Sequence, residues 1–149
     1  MTLIGVSILL LTCLLIALAF FVPRWRQSLQ MKDRLALLLS DDPTVFAVME
    51  PLRMQDQEQL LSAQAREEVQ RLLESVTREG LRVSGREELL AGAWDISITV
   101  RLSDGQSACV YFAEEGPYYM QAGKAFRFRA RNAAQYAALY AHLQSLFTD

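Results

Sequence analysis

The sequence predicts an α+β fold in which one N-terminal transmembrane helix precedes a small domain, a three- or four-stranded antiparallel meander packed against amphipathic helices. Three observations predict it. Thr2 to Val22 runs for 21 residues without a charge, and as a helix that length spans roughly 31 Å, about the hydrocarbon core of a bilayer. Apolar residues recur every three or four positions from Leu60 to Val76 and from Tyr136 to Phe147, the period of helices with one buried side. Between them, Ile96 to Leu102 and Ala108 to Phe112 alternate apolar with polar residues, the pattern of half-buried strands.

The expected division is a transmembrane anchor at 1–23, a juxtamembrane helical connector at 24–55 and a soluble α+β domain at 56–149. Other readings compete for the first segment. A cleaved secretory signal would carry a basic n-region, which Met1 to Ser7 lacks, although Ala17-Leu18-Ala19 has the small-x-small form of a cleavage site. A lipoprotein signal would have to use Thr12 before Cys13, a large residue for that position. A buried core helix would need wrapping on every side, more than a domain of this size supplies.

Arg24, Arg26, Lys32 and Arg34 follow Pro23 while no basic side chain precedes the span. The positive-inside bias then places the domain in the cytoplasm, N-out and C-in, in a cell membrane such as the bacterial inner membrane. An extracytoplasmic domain is the alternative, because so short an amino terminus is easily retained inside. Arg24, Trp25 and Arg26 read as an interfacial anchor, with the ring at headgroup depth and the guanidinium groups reaching phosphates.

Taken in order, Arg24 to Ser40 is expected to continue the span as helix beyond a kink at Pro23, rather than to lie along the surface. Asp42 as N-cap and Pro43 at the first helical position predict a short helix to Glu50, stopped by Pro51. Asp56 with Gln59 three residues on reads as a capping box for the long amphipathic helix, which Gly80 ends. Its Glu67–Arg71 and Glu74–Arg78 spacings mark a solvated side. Leu81 to Val83 forms a short strand, and Ser84-Gly85-Arg86-Glu87 opens a brief helix through Leu89 and Leu90.

Asp104-Gly105 between alternating runs predicts a hairpin with a type I′ turn. Glu115-Gly116-Pro117 turns the chain again. Tyr118 to Gln121 then leads past Gly123 into a strand whose alternation puts Phe126, Phe128 and Ala130 on one face and Arg127, Arg129 and Arg131 on the other. Asn132, with Gln135 three residues later, caps the last helix.

Chemistry-bearing constellations are sparse. His142 and Cys109 are the only histidine and the only cysteine outside the anchor, too few for a nitrogen- and sulfur-ligated metal site. Cys13, in the span, cannot pair with Cys109 within one chain. His142 between Ala141 and Leu143 reads as a packing side chain rather than a general base, and the glycines have no phosphate-loop spacing. Glu114 and Glu115 read as a solvated turn, with a divalent-cation site shared with Asp104 as the alternative. A formal net charge of −2 argues against a general nucleic-acid binder. The reading is therefore a non-enzyme with no cofactor and no metal.

Two features stand out as candidate partner- or anion-binding residues. Arg127, Arg129 and Arg131 repeat about every 7 Å along one strand face, a spacing suited to carboxylates or phosphates; the plainer reading is a charged strand surface that resists aggregation. Tyr118 and Tyr119 are adjacent in a strand, so one ring must point away from the core. Two function classes follow. One is a single-pass accessory or assembly subunit of a larger envelope complex, binding a protein partner through the open face of the sheet; the other is a membrane-tethered regulatory or sensory domain that binds a small anion. Residues 2–22 would contact the lipid bilayer, and homo-oligomerisation stays open, since one helix cannot form a channel alone.

Overall fold

The computed structural model describes residues 2–41, 43–49, 58–88 and 95–147. A long helix α1 (Leu3–Leu38) is followed by β1 (Val45–Met49), β2 (Glu58–Leu60), α2 (Ala63–Glu79), β3 (Leu81–Glu88), β4 (Ile96–Arg101), β5 (Ser107–Phe112), β6 (Pro117–Gln121), β7 (Lys124–Ala130) and α3 (Ala133–Ser145). The class is α+β, as the sequence predicts. The sheet is larger than a three- or four-stranded meander: six strands of five or more residues, with three-residue β2 added at one edge. Their order is β2-β1-β4-β5-β6-β7-β3, every pairing antiparallel.

The additional strand residues come from three segments whose local signals point to helix, 45–49, 58–60 and 84–88. Residues 45–49 form β1, not the short helix that Asp42 and Pro43 predict, and Asp42 lies outside the described residues. Strand pairing places Phe46 opposite Val100 and Val48 opposite Ile98, so both bury against β4. That burial, worth about 1.5–3 kcal/mol per large apolar side chain, outweighs a capping preference of about 1 kcal/mol. Likewise Ser84 to Glu88 continues β3 as strand instead of opening a helix; Leu89 and Leu90 lie outside the described residues. Seven of the eight residues of β3 pair along β7, with Ser84 skipped at a register shift between Val83 and Gly85, and Gly85 marks this bulge rather than a helix start.

Helix α2 starts later than the sequence predicts. Its N-cap is Ser62, whose hydroxyl accepts from the Ala65 amide at 3.3 Å; Asp56 lies outside the described residues and Gln59 belongs to β2. Its end at Gly80 is as expected, with φ +99° and the Gly80 amide donating to Val76. The Asn132 cap of α3 also holds, accepting from the Gln135 amide at 3.2 Å.

The Asp104-Gly105 hairpin forms, but through a longer loop. Arg101 pairs with Ser107, Leu102 N donates to Gln106 O at 2.8 Å, and only Gly105 has positive φ. This is a three-residue loop with Gly105 in the left-handed position, and Asp104 Oδ1 accepts from the Gln106 amide at 2.9 Å. The type I′ geometry occurs instead at Ala122-Gly123, between paired Gln121 and Lys124, with φ of 52° and 75°.

Helix α1 passes through Pro23 without ending. Up to Arg26 its described residues are exposed or half-buried; beyond that Gln27, Met31, Leu35 and Leu38 are buried. This three- and four-residue spacing is a single apolar stripe. The stripe joins the main core with Val69, Leu73 and Val76 of α2, Leu139 and Leu143 of α3, and Ile98, Val110, Phe112, Tyr119 and Phe128 of the sheet. On the opposite side of the sheet a smaller cluster holds Ala113, Tyr118 and Ala125 with Tyr111 and Met120 around them.

Strands β5 and β6 pair only at Tyr111–Tyr118 and Phe112–Pro117, then diverge. Helix α1 lies at this fork. Its Asp33, Arg34 and Leu37 line a cleft of about 530 Å3 together with Ser107 and Cys109 of β5 and Met120 of β6.

Candidate interaction site

The strand register assembles the arginines. Arg129 on β7 stands directly opposite Arg82 on β3, and Arg127 stands opposite Gly85 across the bulge. Arg82 and Arg129 are exposed and Arg127 is half-buried. Neither Arg82 nor Arg129 forms an ion pair with a described residue. Like charges directly opposite one another destabilise a strand pair. Arg82 joins the group through strand pairing; in the sequence its signal is the apolar-polar-apolar run Leu81-Arg82-Val83.

Arg127 is backed by aromatic rings. Its guanidinium carbon lies 4.6 Å above the centre of the Tyr118 ring, and Tyr118 stacks on Tyr111 with centroids 5.1 Å apart and planes 11° apart. The Tyr118 hydroxyl donates to Asp95 Oδ2 at 2.5 Å. Burial, and then this hydrogen bond, raise the Tyr118 phenol well above its ordinary pKa. The cation–π contact and the ring stack hold the Arg127 head in one place.

Gly116 adds the floor. A Cβ there would overlap the Phe128 carbonyl oxygen, so the β5–β6 turn closes onto β7 only because position 116 has no side chain. Ser84, Glu115, Gly116, Arg127 and Arg129 line a cleft of about 460 Å3 on this side. Two arginines over a small open floor can accept a carboxylate or a phosphate through paired N–H donors.

The structure separates the other candidates from this face. Arg131 follows the end of β7, where its amide donates to Gly80 O at 3.0 Å and its side chain passes close over Gly80. Tyr118 points away from the main core, as strand alternation requires, but it is 1% exposed beneath its neighbours. Tyr119 faces the main core, stacked on Phe126 at 4.9 Å, with the Arg34 guanidinium 4.2 Å from its ring and its hydroxyl donating to Gln30 Oε1 at 2.8 Å. Burial raises its phenol pKa. Neither ring is presented to solvent.

Arg24, Trp25 and Arg26 are all exposed on α1, at the change from the all-round apolar surface to the single buried stripe. Next to them, Gln27 Nε2 donates to the carbonyls of Gly85 at 3.2 Å and Arg127 at 3.4 Å. The long helix thereby reaches the backbone of the two strands that carry the arginines. Among the described residues no three His, Cys, Asp or Glu side chains converge as a metal site. His142 is half-buried on α3, and Cys109 accepts from the Thr99 hydroxyl at 3.5 Å. Among the described residues one helix, α1, is long and apolar enough to cross a membrane. No protein-family model, curated protein or solved structure matches the chain.

Proposed function

We propose that the chain is a single-pass membrane-anchored accessory or assembly subunit of a larger complex. Leu3 to Val22 is the anchor, and the α+β domain binds an acidic segment of a protein partner through Arg82, Arg127 and Arg129. The observation that carries this reading is the exposed Arg82–Arg129 pair, two like charges held face to face on neighbouring strands. Such a pair is unfavourable alone and becomes favourable when a carboxylate lies between the two guanidinium groups. The basic flank after Pro23 supports a cytoplasmic placement of this face.

The test is co-purification of the carboxyl-terminally tagged full-length protein from membranes, beside the Arg82→Glu, Arg129→Glu double variant. The reading requires a stoichiometric partner that the double variant loses while remaining in the membrane fraction. A partner retained by the double variant contradicts the arginine face as the contact.

A second reading, a membrane-tethered regulatory domain for a small anion, draws on the cleft of about 460 Å3 beside Arg127 and Arg129. It calls for a thermal shift with inorganic phosphate that disappears in Arg127→Gln. The partner reading requires no such shift.

A further inference from the structure

Helix α1 is continuous from Leu3 to Leu38, so position along it measures height above a bilayer that the apolar segment would occupy. The large apolar side chains are exposed from Leu3 to Val22, and the first buried side chain, Gln27, comes five residues later, a rise of roughly 8 Å. The domain is therefore not held off on a linker.

The β6–β7 hairpin runs along α1 toward the apolar segment. Gln121 and Phe126 line a groove of about 210 Å3 with Val22, Pro23, Arg26, Gln27 and Gln30, so the hairpin reaches the part of α1 where the apolar surface ends. Gln121, Ala122 and Gly123 are exposed, and Lys124 follows them. By contrast Ser107, on the diverging strand β5, lines a cleft with Asp33 and Leu37, roughly 17–22 Å further along the helix than Val22.

We infer that the turn Gln121–Lys124 is seated in the lipid headgroup layer beside Arg24 and Arg26, giving the domain a second contact with the bilayer besides the helix. This rests on Leu3–Val22 being a membrane span. The partner surface is the phosphate zone of a lipid layer. It offers acceptors to the Lys124 ammonium and the two guanidinium groups, and a two-residue turn of small side chains meets it without displacing acyl chains. Gln27, bonded to both Gly85 and Arg127, ties β3 and β7 to the first buried turn of α1 and so holds the domain at a fixed height on the helix.

The test uses full-length protein in phosphatidylcholine–phosphatidylglycerol vesicles, in a Cys13→Ala, Cys109→Ala background. A fluorophore is attached at Ala122→Cys, at Gln121→Cys or at Ser107→Cys, and quenching by lipids spin-labelled on the headgroup is read after flotation. Quenching at both 121 and 122 several-fold above that at 107 supports the seated turn. Using two sites guards against a turn disturbed by the cysteine at 122. If the protein floats with the vesicles and 121 and 122 are quenched no more than 107, the turn is not at the surface and the inference falls while the anchor stands. If the protein does not float, the anchor itself is refuted and the inference with it.

Discussion

The Tyr119 hydroxyl donates to Gln30 Oε1 at 2.8 Å, joining residues 89 positions apart in the chain. One lies on the helix that carries the apolar segment, the other on an inner strand of the sheet. Around this bond Arg34 covers the Tyr119 ring and Gln27 bonds the backbone of β3 and β7. The second half of α1 is thus a core element, and disturbances of it should register as losses of global stability.

Gln27→Leu removes the donor to two strand carbonyls and leaves the bulge at Gly85 without its side-chain partner. The expected loss is about 1–3 kcal/mol, read from denaturant unfolding in detergent. A change within a few tenths of a kcal/mol would mean that the helix is held by its apolar stripe alone.

Gly116→Ala forces a Cβ into the Phe128 carbonyl. Because the obstacle is backbone, β6 and β7 must shift, and a destabilisation of about 1–3 kcal/mol is expected. Unchanged thermal unfolding would show that the turn can relax at no cost.

Ala122 carries positive φ in the tight β6–β7 turn. Ala122→Gly relieves roughly 1–2 kcal/mol of steric cost while adding unfolded-chain entropy worth about 0.4–1 kcal/mol, so stability should rise by up to about 1.6 kcal/mol. Gly123→Ala, at φ 75°, should lower it. Thermal melts of the two variants moving in the same direction would contradict this turn geometry.

Burial raises the Tyr136 phenol, whose hydroxyl donates to Ala113 O at 2.5 Å, and burial with the Asp95 bond raises that of Tyr118. Folded values above the ordinary value of 10.0 mean that the native state holds these protons more tightly than the unfolded chain. Their contribution is fully present below about pH 10 and is lost as pH rises through and beyond it. Unfolding free energy should therefore fall steeply above about pH 10, and less steeply in the Tyr118→Phe, Tyr136→Phe double variant. Equal slopes would show that these phenols are not the source.

Periodic signals in the sequence were legible wherever burial and local propensity agree. The stripe of α2 ending at Gly80, the β4–β5 alternation and the Asn132 cap belong to this group, while the apolar helix was legible from length and composition alone. The segments that depart from their local signals are those where a capping signal competes with long-range pairing. Val45–Met49 is chosen as strand by contacts with β4, some 50 residues away, and Ser84–Glu88 by contacts with β7, about 40 away; neither partner is visible locally. The hairpin at Asp104-Gly105 was legible but its loop length was not, because Asp104 serves as a side-chain acceptor rather than adopting positive φ. At the candidate site, alternation alone put Arg127 and Arg129 on one face. Arg82 joined them only through strand order, and Arg131 left because β7 ends before it.

The most direct measurement is amide hydrogen exchange of the full-length protein in lipid vesicles, resolved along α1. With one helix serving as both span and core element, Gln27 to Leu38 should exchange as slowly as β6 and β7, through global unfolding, while Leu3 to Val22 is protected only when lipid is present. Fast exchange over Gln27 to Leu38 alongside slow exchange in β6 and β7 would contradict the account: the helix would then be a tether, and the domain would stand on its own.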